Sequence, residues 1–188
     1  MATYYEGDPI GVVEQTLTAE EYAPEYRAAG GILSPFHRRG VKAGLCLSAA
    51  LLIGSVIPLY RARFSTVFGP ICGAALCVAF AALFYFYQPR EIERWAAELF
   101  RSNALLSLPQ KISVYRDSVV IESEREHILE YWTDFAGCLE DGEAFVLAGG
   151  RERDLLVIKK RGLSPEQIRS LSEHFSSAFA LRYEKRNR

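Results

Sequence analysis

Apolar residues follow three different rhythms along the chain. Between Val41 and Gln88 they run almost unbroken: Ala43 to Tyr60 and Phe64 to Tyr87 carry no charged side chain and are separated only by Arg61, Ala62 and Arg63. At the helical rise the first run reaches ~27 Å, close to a ~30 Å hydrocarbon core, so the block reads as a two-helix transmembrane hairpin at about 41–60 and 64–87. Ahead of it, Ile10 to Leu17 reads as a strand, and Thr18-Ala19-Glu20-Glu21 spells a capping box. The helix that follows is expected to be short, strained at Pro24 and ended by Gly30-Gly31. Behind the block, Pro89 predicts a kink or break, after which Ile92, Trp95 and Leu99 recur at helical spacing with Ala96 and Phe100 beside them. Arg90, Arg94, Glu98 and Arg101 take the polar positions, giving an amphipathic juxtamembrane helix over 89–104 that lies either on the bilayer surface or on the following domain.

From Lys111 the period changes to two: Ile112 and Val114, Val119 and Ile121, then Ile128, Leu129 and Tyr131 around Trp132. Arg116-Asp117-Ser118, Ser123 to Glu126, Asp141-Gly142 and Gly149 to Asp154 are the turn signals between these strands. Such short connections predict antiparallel pairing. Ser164-Pro165-Glu166-Gln167 then opens a helix whose apolar face is Ile168, Leu171, Phe175 and Phe179. The fold class expected is α+β: a transmembrane hairpin plus one cytosolic antiparallel sheet closed by a C-terminal helix, the pleckstrin-homology-like architecture. The division is 1–40, a strand and helix joining the later domain through strand pairing; 41–88, the hairpin; 89–104, the juxtamembrane helix; and 105–188, the sheet-plus-helix domain.

Charge orients this arrangement. Arg38, Arg39 and Lys42 precede the first apolar run and Arg90 and Arg94 follow the second, against Arg61 and Arg63 in the loop, so a multi-pass cell-membrane protein with both termini cytoplasmic is expected. Met1 to Gly40 does not read as a cleavable signal peptide, because its apolar region starts too late and it carries acidic residues. Small residues recur four apart, Gly44 with Ser48, Ala50 with Gly54, and Gly69 with Gly73, which makes Gly69 and Gly73 candidate helix-packing positions. Glu122, Glu124, Glu126, Glu130, Asp134, Glu140, Asp141 and Glu143 crowd one stretch, while the tail is basic. Arg182, Lys185, Arg186 and Arg188 are candidate lipid contacts, and the near-neutral net charge of -1 argues against a nucleic-acid partner. Cys46, Cys72, Cys77 and Cys138 show no disulfide or metal-ligand spacing, and His37, His127 and His174 are isolated, so no cofactor is implied.

The chain resembles the YcxB-like family of membrane proteins. The residues that carry the resemblance are Thr16 to Tyr22, the apolar block, Tyr131-Trp132-Thr133-Asp134-Phe135, Glu140, Phe145, and Leu156 to Lys160, where Ile158 stands in place of the family's usual proline. The resemblance implies an architecture and a location and brings no activity with it.

Without a phosphate loop, triad signature, metal cluster or dinucleotide fingerprint, the expected function is a non-enzymatic, membrane-tethered module whose folded domain binds a protein segment or lipid head groups. Its partners would be the bilayer and either another protein or a second copy of the chain. The alternatives are a subunit of a membrane transport or assembly complex, and an enzyme whose scattered site draws on His127, Asp134 and Cys138. Trp132 and Phe135 read as core.

Overall fold

The alternating segments do form strands, but they divide between two sheets. The computed structural model describes residues 7–34, 39–56, 75–76, 78–80 and 82–186. The first sheet has the order β1 (Gly11–Gln15), β2 (Gln110–Val114), β3 (Ser118–Glu122), β4 (His127–Tyr131), antiparallel throughout, with Gly11 opposite Val114 and Gln15 opposite Gln110. The segment ahead of the apolar block therefore pairs with the sheet that follows it. The second sheet has the order β7 (Leu155–Lys159), β6 (Ala144–Ala148), β5 (Gly137–Glu140), β8 (Tyr183–Lys185), in which β8 runs parallel to β5.

Two sheets, one of them mixed, replace the expected single antiparallel sheet of pleckstrin-homology-like form; the class remains α+β. Two local features cause the difference. After β4 the chain turns sharply, with the Asp134 amide on the Tyr131 carbonyl at 2.9 Å and the Tyr131 amide on the Asp134 carboxylate at 3.1 Å, so that Ala136 can pair with Ala148 at 2.8 Å and begin a new ladder. Beyond helix α4 (Pro165–Phe179, the fourth helix in chain order), Ala180 takes a positive φ of 46° and redirects the chain along β5; the intervening helix is the crossover that a parallel pair requires.

The second sheet is buried on both faces, which explains why β5, β6 and β7 read as nearly continuous apolar runs. Phe145, Leu147, Leu156 and Ile158 face a core shared with Ile112, Val119 and Ile121 of the first sheet and with Leu171, Phe175 and Phe179 of α4, around Trp132 and Phe135. Val146, Ala148, Leu155 and Val157 point the other way, onto a second core with Tyr22, Ala29 and Phe100. That core is closed by α1 (Ala19–Leu33) and α3 (Gln88–Ser102), which lie side by side; Tyr22 meets Phe100 at 5.3 Å, Tyr26 meets Trp95 at 5.4 Å and Arg27 pairs with Glu93 at 2.9 Å. α1 continues through Pro24 and Gly30-Gly31 to Leu33, because packing on α3 and the sheet outweighs the local cost of those residues.

Among the described residues no helix is long and apolar enough to cross a membrane, which overturns the hairpin and, with it, the multi-pass cell-membrane placement and the orientation inferred from it. In α2 (Arg39–Val56), Arg39 and Lys42 fall inside the helix, and the uncharged residues described after them, 43 to 56, span ~21 Å; the rest of the first apolar run lies outside the described residues. Gly69, Gly73, the Arg61–Arg63 loop and most of the second apolar run lie outside the described residues. At Gly44 an added Cβ would meet nothing within 4 Å among the described residues. The described end of the second run is a π-helical turn, Leu83–Tyr87, that passes directly into α3. Pro89 sits at the start of α3, and the wide turn before it takes up the disturbance without a break. α3 buries Ala96 and Phe100 against the body of the protein and leaves Trp95 half exposed.

Gln15 joins the edge strands of the two sheets. Its amide donates to the Val157 carbonyl at 2.6 Å, and its carbonyl accepts the Lys159 amide at 2.9 Å. Gln15→Ala strands both backbone groups of β7 away from water, and a loss of about 1–3 kcal/mol is expected. A shift in the urea midpoint measures it; a midpoint equal to the parent's would deny Gln15 this role.

Candidate functional site

The basic tail is folded onto the protein. β8 and its flanks carry Arg182, Lys185 and Arg186, while Arg188 lies outside the described residues. Holding β8 in place is Glu140, a buried carboxylate on β5. One of its oxygens meets Lys160 Nζ at 2.8 Å and Lys185 Nζ at 3.1 Å; the other accepts Ser172 Oγ at 2.7 Å and the Tyr183 hydroxyl. The Arg186 amide also donates to the Glu140 carbonyl, at 2.8 Å. Burial pushes the Glu140 carboxyl up, but the hydrogen bonds from Lys160, Tyr183, Ser172 and Lys185 outweigh burial and hold it at about 2. The Tyr183 phenol is pushed up to about 12, first by burial and then by its bond to that carboxylate. Lys185 is thus committed to Glu140.

With β8 latched, Arg182 and Arg186 project into a cleft of about 1170 Å³ whose opposite walls are α1, the start of α2 and the turn leading into α3. The walls are of mixed character: Ile32, Phe84, Tyr85, Ile92 and Leu181 are apolar, and Arg27, Lys42, Arg182 and Arg186 are cationic. Two of these cations are opposed by carboxylates, Arg27 by Glu93 at 2.9 Å and Arg186 by Glu184 at 2.8 Å. Arg186 also donates to the Ala28 carbonyl at 3.1 Å. Arg182 donates to the Phe135 carbonyl at 2.8 Å and lies over the Phe179 ring, with no carboxylate against it among the described residues. Lys42 is only 8% exposed, lines the cleft, and has no ion-pair partner among the described residues. Burial pulls its amine pKa down. The cleft therefore holds a surplus of positive charge on Lys42 and Arg182, beside aromatic and aliphatic walls.

A smaller cleft of about 560 Å³ lies near the start of α1 and the end of β7. Its cations are already matched: Arg161 pairs with Glu21 at 2.5 Å, Lys159 with Glu25 at 3.4 Å, and Lys160 with Glu140 at 2.8 Å. Among the described residues no cation there is left over to recruit an anionic ligand.

The three residues of the scattered-site alternative do not converge. His127 sits on β4 beside Glu122 at 3.5 Å, Asp134 is held in the turn after β4, and Cys138 is fully buried on β5 with its thiol pushed far up by burial. His174 packs against Trp132 and Phe175, and burial lowers its pKa. Among the described residues no group of three His, Cys, Asp or Glu side chains could hold a metal ion.

Sequence reasoning picked out Arg182 and Arg186 as lipid contacts of a basic tail, without the strand β8 that carries the tail along β5. It missed Arg27, and it took Lys42 for a flank of a membrane span. The signal for Lys42 was its place on the covered side of a helix, which no local pattern reveals without the partner elements. Set against family models, curated proteins and solved structures, the chain matches none of them.

Proposed function

We propose that the protein is a non-catalytic binding module that takes an anionic ligand into the cleft between α1, α2, the start of α3 and β8. One observation carries this reading: Lys42 is a nearly covered cation lining the same cleft as Arg182, and no carboxylate among the described residues neutralises either. A covered, unpaired ammonium is unfavourable, and an incoming anion relieves that cost while gaining charge-assisted hydrogen bonds. Glu140 supports the site from behind by fixing β8, and so the position of Arg182 and Arg186, before any ligand arrives.

Titration of the full chain with inorganic pyrophosphate, followed by calorimetry, tests this. Lys42→Ala and Arg182→Ala are each expected to weaken binding roughly tenfold, equivalent to about 1.4 kcal/mol. Binding should also weaken with salt, because the cleft is open to solvent. The control is Arg169→Ala on the outer face of α4, where the side chain is 78% exposed and remote from the cleft lining. Heat of binding that is absent, or the same in all four proteins, would remove the cleft from the function.

A further inference from the structure

We infer that the ligand is an anionic phospholipid, its phosphate drawn between Lys42 and Arg182 and its chains laid on the exposed apolar helical surface beside the cleft. The inference rests on the anion-binding reading above and adds the identity of the rest of the ligand. The turn Leu83–Tyr87, which supplies Phe84 and Tyr85 to the cleft wall, also exposes Leu83 at 48%, Phe86 at 69% and Tyr87 at 59%. Large apolar side chains this exposed, adjoining in sequence the two aromatic residues that line a cationic cleft, form an apolar surface of the kind that marks a binding site.

A small hydrophilic anion would use only the cations and leave the apolar surface in water. A neutral amphiphile would use only the apolar surface and leave the Lys42 ammonium unmatched. A phospholipid with net negative charge satisfies both, and its glycerol linkage meets the tyrosine rings, which suit a boundary between polar and apolar surroundings. Contact of this kind is superficial, at the depth of the headgroup and upper chain, and asks for no helix of spanning length.

The test uses the full chain and three probes: vesicles of phosphatidylcholine with one-third phosphatidylglycerol, vesicles of phosphatidylcholine alone, and water-soluble glycerol phosphate. Binding to the mixed vesicles is expected to be at least tenfold tighter than to glycerol phosphate, with little binding to phosphatidylcholine alone. Lys42→Ala should weaken binding to mixed vesicles and to glycerol phosphate alike. A Leu83→Ser, Phe86→Ser double variant should weaken vesicle binding several-fold and leave glycerol phosphate binding unchanged, since both side chains lie outside the cleft lining and are at least 48% exposed. If glycerol phosphate binds as tightly as mixed vesicles and the double variant matches the parent, the phospholipid proposal is overturned while the anion-binding reading survives. If no anionic probe binds, both are overturned. Equal binding to the two kinds of vesicle also overturns the proposal, because charge would then play no part.

Discussion

Glu140→Ala is expected to destabilise the protein by about 3–5 kcal/mol, the usual penalty for removing one partner of a buried ion pair. The carboxylate is 3% exposed and gathers Lys160, Lys185, Ser172 and Tyr183 from the end of β7, from β8 and from α4. Removing it leaves the Lys160 ammonium, 11% exposed, without its carboxylate, and removes two of the side-chain ties on β8. Glu140→Gln, which keeps the shape but not the charge, should fall between the parent and the alanine variant. The same group sets a pH dependence whose sign is fixed by its depressed value. A carboxyl held at about 2 in the folded chain, against an ordinary 4.5, contributes stability fully present above pH 4.5 and lost as the pH falls towards 2. About 3 kcal/mol is at stake in that window. Tyr183 acts in the opposite direction: raised to about 12 from 10, its contribution is present below pH 10 and lost as the pH rises through 12. Chemical denaturation across pH measures both, and a Glu140→Ala variant whose acid limb parallels the parent's would show that the latch does not control acid stability.

Phe175→Ala is expected to cost about 3–5 kcal/mol as well, by a different mechanism. The ring is completely buried on the inner face of α4, edge-on to Trp132 at 5.5 Å and to Phe145 at 5.2 Å, so it packs the helix onto β6 and onto the turn that follows β4. Truncation leaves a cavity that rigid strands on either side cannot close. For a chain of this size the melting temperature should drop by about 2–4 °C per kcal/mol. Phe175→Leu, which refills most of the volume, should recover much of the loss. Similar melting curves for the alanine variant and the parent would mean that α4 is held chiefly by its ends.

What the sequence disclosed was mostly local. Ser164 and Gln167 do cap α4 reciprocally, at 3.2 and 2.8 Å, and Asp141 does fold the β5–β6 hairpin by accepting the amides of Glu143 and Ala144 at 2.9 Å each. These motifs bind groups within three residues of one another, so the order of letters contains the whole interaction. Trp132 and Phe135 are core, as alternation around them indicates, and the Trp132 indole is satisfied by the Tyr115 and Arg116 carbonyls. The division into two sheets was not legible, because it depends on the turn at Thr133–Asp134 and on β8, a three-residue strand with no apolar rhythm. The apolar block was read as spanning because uncharged length was counted from Ala43, whereas the described helix α2 includes Arg39 and Lys42. The cleft was the least visible of all. Arg27, Lys42 and Arg182 come from three distant parts of the chain, and only the packing of α1 on α3 and of β8 on β5 brings them to one place.

The side-by-side seating of α1 and α3 has a consequence for how the chain can vary. The polypeptide departs from the body at the end of α1 and returns at the start of α3, and the Arg27–Glu93 and Tyr26–Trp95 contacts pin departure and return as neighbours. The chain between them therefore has fixed ends. Doubling the length of a flexible connection adds only about 0.6 kcal/mol of closure entropy, so insertions in this interval that spare the cleft residues Lys42, Phe84 and Tyr85 should leave both cores standing.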